Sequence, residues 1–166
     1  WDGNACNDIN ILNIESLILN DNNYNDIFWE PNINNQIIGT PPSPRAGHTS
    51  CVIKNSKMLI FGGCEGPKIF NDLHIFDTIT ISWSRPSDTG MLPNPRTGHS
   101  CTVTNESNII YFVAGGDADS KLFNDVYQLD TGFFTKDNPI KPIYVHKHKT
   151  NINHNDIDTN NENNND

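Results

Sequence analysis

The sequence has no long apolar run, few basic side chains and only four cysteines, and each shortage removes a class of function. Its longest uninterrupted apolar stretch, residues 109–114, is six residues, far short of the roughly 18 to 20 that a membrane-crossing helix needs. Eleven Lys and Arg against 20 Asp and Glu give a formal net charge of −9. No Lys/Arg block is present to displace counterions from a phosphate backbone. Neither a membrane nor a nucleic acid is therefore an expected partner. Four cysteines in 166 residues, none in a C-x-x-C pair, are too sparse for a disulfide framework and fit a reducing compartment. Trp1 stands first and nothing near it reads as a signal peptide, so the expectation is a cytoplasmic chain whose own start lies further upstream.

What is abundant is asparagine, and it is unevenly placed. Residues 20–35 and 151–166 are dense in it, whereas residues 41–100 hold only Asn55, Asn71 and Asn94. Such tracts bury too little apolar surface to offset chain entropy, so the tail reads as disordered and the first tract as a loop insertion. The remainder, in a chain with 35% hydrophobic and 19% charged residues, is enough for one globular unit.

Three words recur in the same order. Pro44-Arg45-Ala46-Gly47-His48 returns as Pro95-Arg96-Thr97-Gly98-His99, a spacing of 51 residues. An apolar run closed by Gly62-Gly63 returns, 53 residues on, closed by Gly115-Gly116. Lys68-Ile69-Phe70-Asn71-Asp72 returns as Lys121-Leu122-Phe123-Asn124-Asp125, also 53 residues on. A further copy of the third word begins at Asn7-Asp8, 64 residues before Asn71, and ten of its eleven extra residues fall in the Asn-rich insertion.

This ordered triple resembles the Kelch repeat, with its P-R-x-G-H opening, its double glycine after an apolar strand, and a later strand leading to Trp. The resemblance implies an all-β fold, a partial Kelch-type β-propeller built of four-stranded antiparallel blades. Strand one of the two full repeats is expected at 49–53 and 100–104, and strand two at 58–61 and 109–114. The second strands are so apolar that both faces should be covered. Strand three is expected at 73–76 and 126–129, and strand four at 79–83. The organisation that follows is a partial blade with the Asn-rich insertion at 1–38, a blade at 39–92, a blade at 93–145 and an Asn/Asp-rich disordered tail at 146–166. The fourth strand of the last blade should be degenerate, because Phe133, Phe134, Pro139 and Pro142 stand where a Trp strand belongs. Propellers typically need about four to eight blades, so the chain is expected to be a fragment of a longer Kelch protein, with the remaining blades as partners.

Repeat equivalence also sorts the chemistry-bearing residues. His48 and His99 occupy the same place in two repeats, which suits structural hydrogen bonding better than a single catalytic or metal site. The resemblance implies that Arg45 and Arg96 pair with a carboxylate or carbonyl and pin blades together, with Asp72, Asp77, Asp125 and Asp130 as matched candidates. The double glycines read as turns needing positive φ, Trp29 and Trp83 as blade-packing aromatics, and Cys51 and Cys101 as repeat-equivalent small core residues. No catalytic residue, metal ligand or cofactor is expected.

In such a blade the turn between strands two and three shares a face with the connection to the next blade. That face carries loops that differ between repeats, and its contact candidates are Glu65, Lys68, Arg85, Asp88, Asp117, Asp119 and Lys121. The Asn-rich insertion should emerge at the opposite end. The function expected is a non-catalytic protein-interaction module, a scaffold or adaptor. The alternative is a piece of a Kelch-containing enzyme, either a regulatory propeller attached to a catalytic domain such as a phosphatase or a metal-dependent propeller enzyme.

Overall fold

The computed structural model describes residues 5–14, 27–31, 33–54, 56–86, 92–104, 109–131 and 145–148. Within them the chain is all-β, in three successive antiparallel sheets. The first is a two-stranded ribbon, β1 (Leu12–Asn13) with β2 (Phe28–Trp29). The second holds β3 (Thr49–Ile53), β4 (Lys57–Phe61), β7 (Leu73–Asp77) and β8 (Ser82–Ser84), side by side in chain order. A small hairpin, β5 (Cys64–Glu65) with β6 (Lys68–Ile69), lies in the β4 to β7 connection. The third holds β9 (Ser100–Val103), β10 (Ile109–Val113), β11 (Val126–Asp130) and β12 (Val145–His148), again in chain order.

Strands one to three stand within a residue of their expected places, and the fourth strands do not. Residues 79–81 form a turn instead, because the Asp77 carboxylate accepts hydrogen bonds from the amides of Ile79 and Thr80, at 2.9 and 3.2 Å. Such side-chain capture of the backbone competes with strand pairing. In the third sheet the boundary drawn at residues 145 and 146 is overturned. Val145–His148 pairs with β11 from Leu129 to Val126 and completes four strands. Residues 132–144, which include the displaced aromatic and proline positions, lie outside the described residues, as do residues 15–26 of the Asn-rich insertion. The end of that tract is tied in: the Asn34 side chain accepts from the Ile9 amide at 3.1 Å and donates to its carbonyl at 3.4 Å.

Two apolar layers lie between successive sheets. Leu59, Phe61 and Leu73 of the second sheet meet Ile110, Phe112, Tyr127 and Leu129 of the third, with Phe61 and Phe112 ring centroids 4.7 Å apart. On the other side, Ile60, Phe76 and Trp83 pack with Ile9 and Ile37 from the ribbon and its connector. Alternation along β4 sends Leu59 and Phe61 one way and Ile60 the other, so this strand is covered on both faces as its composition requires. The strand β10 is not: Ile110 and Phe112 are buried, whereas Ile109, Tyr111 and Val113 are only half-buried. No third layer covers them among the described residues. Each large side chain taken fully out of water contributes about 1.5–3 kcal/mol, so these layers hold the sheets together.

Trp83 is buried as expected, but Trp29 is 65% exposed, because the ribbon offers no second layer for it to enter. Gly39 shows why the connector needs a glycine. Its φ is +86°, and a Cβ there would lie 2.3 Å from the Trp83 carbonyl oxygen.

The backbone also corrects the repeat alignment. Gly62 and Gly63 have φ of +67° and +92°, and the matching pair is Ala114 and Gly115, at +60° and +93°. Gly116 corresponds to Cys64, since Gly116 pairs with Thr97 as Cys64 pairs with Ala46. The double glycines are therefore one residue out of register, and the loop after Gly116 is one residue longer than the loop after Cys64.

Candidate functional site

One end of the two full sheets is built on a repeated arginine. The Arg45 guanidinium donates to both carboxylate oxygens of Asp72, at 2.6 and 3.1 Å, to the Gly62 carbonyl at 2.9 Å and to the Ser43 carbonyl at 3.0 Å. Arg96 repeats this with Asp125 at 2.7 and 3.1 Å, the Ala114 carbonyl at 2.8 Å and the Asn94 carbonyl at 3.2 Å. Each guanidinium also lies over a ring, Arg45 at 4.1 Å from the Phe70 centroid and Arg96 at 4.5 Å from that of Phe123. A buried cation needs this many partners.

Burial opposes ionisation of Asp72, yet the hydrogen bonds from His74 and Arg45 outweigh it and hold its carboxyl well below the usual carboxylate range. His74 is buried with its Nε2 2.9 Å from Asp72 Oδ2. Asp77 and Asp130 do not join these arginines. Asp77 pairs with Lys57, and Asp130 lies opposite Ile109 at the far end of its strand.

His99 is buried between the sheets, its Nε2 2.6 Å from Thr49 Oγ1. Burial first, then repulsion from Arg96 and His48, lower its pKa to about 4, so the ring is neutral near pH 7. It is a structural bridge from the third sheet to the second. The equivalent His48 is exposed and lines a cleft of about 160 Å³ with Ile9, Arg45, Ser50, Met58 and Trp83.

The loops stand on this frame. In the β5–β6 hairpin Glu65 lies opposite Lys68, and both are exposed. The Lys68 ammonium sits 5.0 Å from the Phe70 centroid, and that of its counterpart Lys121 sits 5.7 Å from Phe123. Asp117 accepts from the amides of Asp119 and Lys121, both at 3.0 Å, and so shapes its own loop, while Asp119 and Lys121 are exposed. Arg85, 60% exposed, reaches within 3.8 Å of Asp72. Asp88 lies outside the described residues.

The strand order, the glycine turns and the twice-built arginine frame agree with a family match: residues 2–154 match the KLHDC2/KLHL20/DRC7 Kelch-repeats domain. The chain belongs to the Kelch-repeat family. It is similar to acyl-CoA-binding domain-containing protein 5 of Arabidopsis thaliana, 35% identical over 111 residues, covering 67% of this chain and 15% of that protein. The Rab9 effector protein with kelch motifs of Mus musculus is 39% identical over 94 residues, 55% of this chain and 24% of that protein. The chain thus spans about a quarter or less of the length of these relatives. The solved structure of YjhT aligns over 68% of this chain and 41% of its own, with a TM-score of 0.51 and 18% identity, a likeness of fold. The two four-stranded sheets are Kelch blades, and the ribbon is part of a third.

With the blades defined, the arginine side chains stay within their own blade. Beside the His99 bridge, it is the backbone around these arginines that joins blades. The Arg96 amide donates to the Phe70 carbonyl at 3.0 Å, its carbonyl accepts from Gly63 at 2.9 Å, and Gly98 donates to Gly47 at 2.9 Å. The expected pinning of blades by guanidinium is replaced by a division of labour, in which the side chain orders the turn whose backbone then makes the joint. Sequence reasoning missed His74, whose Kelch counterpart is Tyr127. Its signal was available: it stands two residues after Asp72 where the chain enters β7, and alternation puts both side chains on one face.

Proposed function

We propose that this Kelch segment is a non-catalytic protein-interaction module that displays the loops at the arginine end of its blades. The observation supporting this is the contrast between a frame repeated almost atom for atom around Asp72 and Asp125 and exposed loops on it that differ in length and charge. A constant scaffold with variable loops is how repeat proteins present binding surfaces. Glu65, Lys68, Arg85, Asp119 and Lys121 are the proposed contact residues, and the partner proposed is another protein. Lys68 and Lys121 are steadied over Phe rings, which lowers the entropy lost when they dock. A cytoplasmic, reducing setting is part of the proposal and suits four free thiols.

The test is partner capture with the folded chain and two sets of variants. Charge reversal at Glu65 and Lys121 should abolish capture of any partner that the unaltered chain retains. Ile79→Lys, on the exposed turn at the opposite end, should not. Equal loss in both sets would overturn the proposed face.

A further inference from the structure

The two blades meet along their first strands, β3 and β9, and the meeting point contains two thiols. The Thr49 hydroxyl of β3 and the His99 ring, which precedes β9, are 2.6 Å apart, and the Gly98 amide is bonded to the Gly47 carbonyl at 2.9 Å. Two residues beyond Thr49 and His99 stand Cys51 and Cys101. Strand pairing decides where they point. Cys51 pairs with Leu59 in its sheet and Cys101 with Phe112, and Leu59 and Phe112 are opposing members of the inter-blade core. The counterpart of Cys51 is thus Thr102, not Cys101, and the one-residue offset turns Cys101 back toward the preceding blade. Both cysteines are free, half-buried and packed against that core.

Strands β3 and β9 lie side by side, so the two thiols face one another across the inter-blade core. Donation from Cys51, with support from Thr49, draws the Cys101 thiol down despite burial. The hydrogen bond with Cys101, then burial, push the Cys51 thiol up. In a facing pair one sulfur can ionise while the other keeps its proton, the division of roles found where one cysteine attacks and a second resolves.

We propose that Cys51 and Cys101 form an oxidisable dithiol that closes to a disulfide between two Kelch blades. With hydrogen peroxide as oxidant, the Cys101 thiolate attacks one oxygen and the O–O bond breaks. The departing hydroxide takes up the proton lost from that thiol, and Cys101 becomes a sulfenic acid. The Cys51 sulfur then attacks the Cys101 sulfur, its S–O bond breaks, and the Cys51 proton leaves with the hydroxyl as water. Two thiols lose two electrons, one peroxide becomes two waters, and the blades gain a covalent staple beside the His99 bridge.

The experiment exposes the folded chain to hydrogen peroxide, blocks remaining thiols with iodoacetamide after unfolding, and maps the peptides. The expected product links the Cys51 and Cys101 peptides within one chain, two hydrogens lighter than their sum, with both thiols lost in equal amount and both restored by dithiothreitol. In Cys51→Ser, Cys101 should halt as a sulfenic acid that dimedone traps, and in Cys101→Ser the Cys51 thiol should stay alkylatable. Two outcomes overturn the proposal: Cys101 joined to Cys6, Cys64 or another chain, or both thiols still alkylatable once the exposed Cys6 has been consumed. The mapping of the unaltered chain decides this whether or not the variants fold.

Discussion

Removing the carboxylate from one arginine frame should cost far more in the third sheet than in the second, and the reason lies in what remains around each guanidinium. In Asp125→Ala, Arg96 keeps only the carbonyls of Ala114 and Asn94, with no solvent access, since its side chain is 0% exposed and that of Asp125 only 9%. An uncompensated buried charge costs about 3–5 kcal/mol. In Asp72→Ala, Arg45 is nearly as buried, but the carboxylate lost was 21% exposed, so water can enter and solvate both the cation and the His74 ring that the same carboxylate held. The expected loss is about 2 kcal/mol. Against a total of roughly 5–15 kcal/mol for a native domain, the first change takes a large share and the second a modest one. Urea unfolding followed by fluorescence of the buried Trp83 measures both. The double replacement Arg96→Met with Asp125→Leu should recover most of what Asp125→Ala loses, because an apolar pair of similar volume leaves no buried charge. Losses of equal size in the two frames, or a double variant no better than the single one, would refute the reasoning.

Three further outcomes follow from particular positions. Because the native state holds His99 neutral with a pKa lowered to about 4 from 6.5, the unfolded chain binds the proton first as pH falls. Stability should be unaffected above pH 6.5 and decline by about 3 kcal/mol on approaching pH 4, and His99→Gln should flatten that slope in denaturant midpoints taken across the range. Ala114, at φ +60°, occupies the position that glycine holds in the preceding blade, so Ala114→Gly should relieve left-handed strain and raise stability by about 1 kcal/mol in the same assay. Gly39→Ala should do the reverse, losing about 2 kcal/mol or more, since its methyl would meet the Trp83 carbonyl.

Much of this molecule was legible before its coordinates, and the residues that were not share a physical cause. Strands at Thr49–Ile53 and Leu73–Asp77 announce themselves by apolar and β-branched runs, and the Arg45 and Arg96 frames by recurrence. The turn at 78–81 was missed because one carboxylate, Asp77, redirects two amides, a local contest that propensity does not weigh. The strand Val145–His148 was missed because nothing in its own residues marks it, and its place is set by the open edge of β11. The register was missed because matching glycine to glycine compares letters, whereas the turn selects a backbone state. Ala114 adopts left-handed φ almost as Gly62 does, so the chain keeps the turn while the letter changes. A one-residue offset in the first strands has chemical weight too. In a strand one residue of slip reverses every side chain, and here it turns Cys101 from the far face of its blade to the near one, opposite Cys51. Cys101 stands two residues after His99, whereas Cys51 stands three after His48; a third residue there would have put both thiols on the same face of their blades, unable to meet.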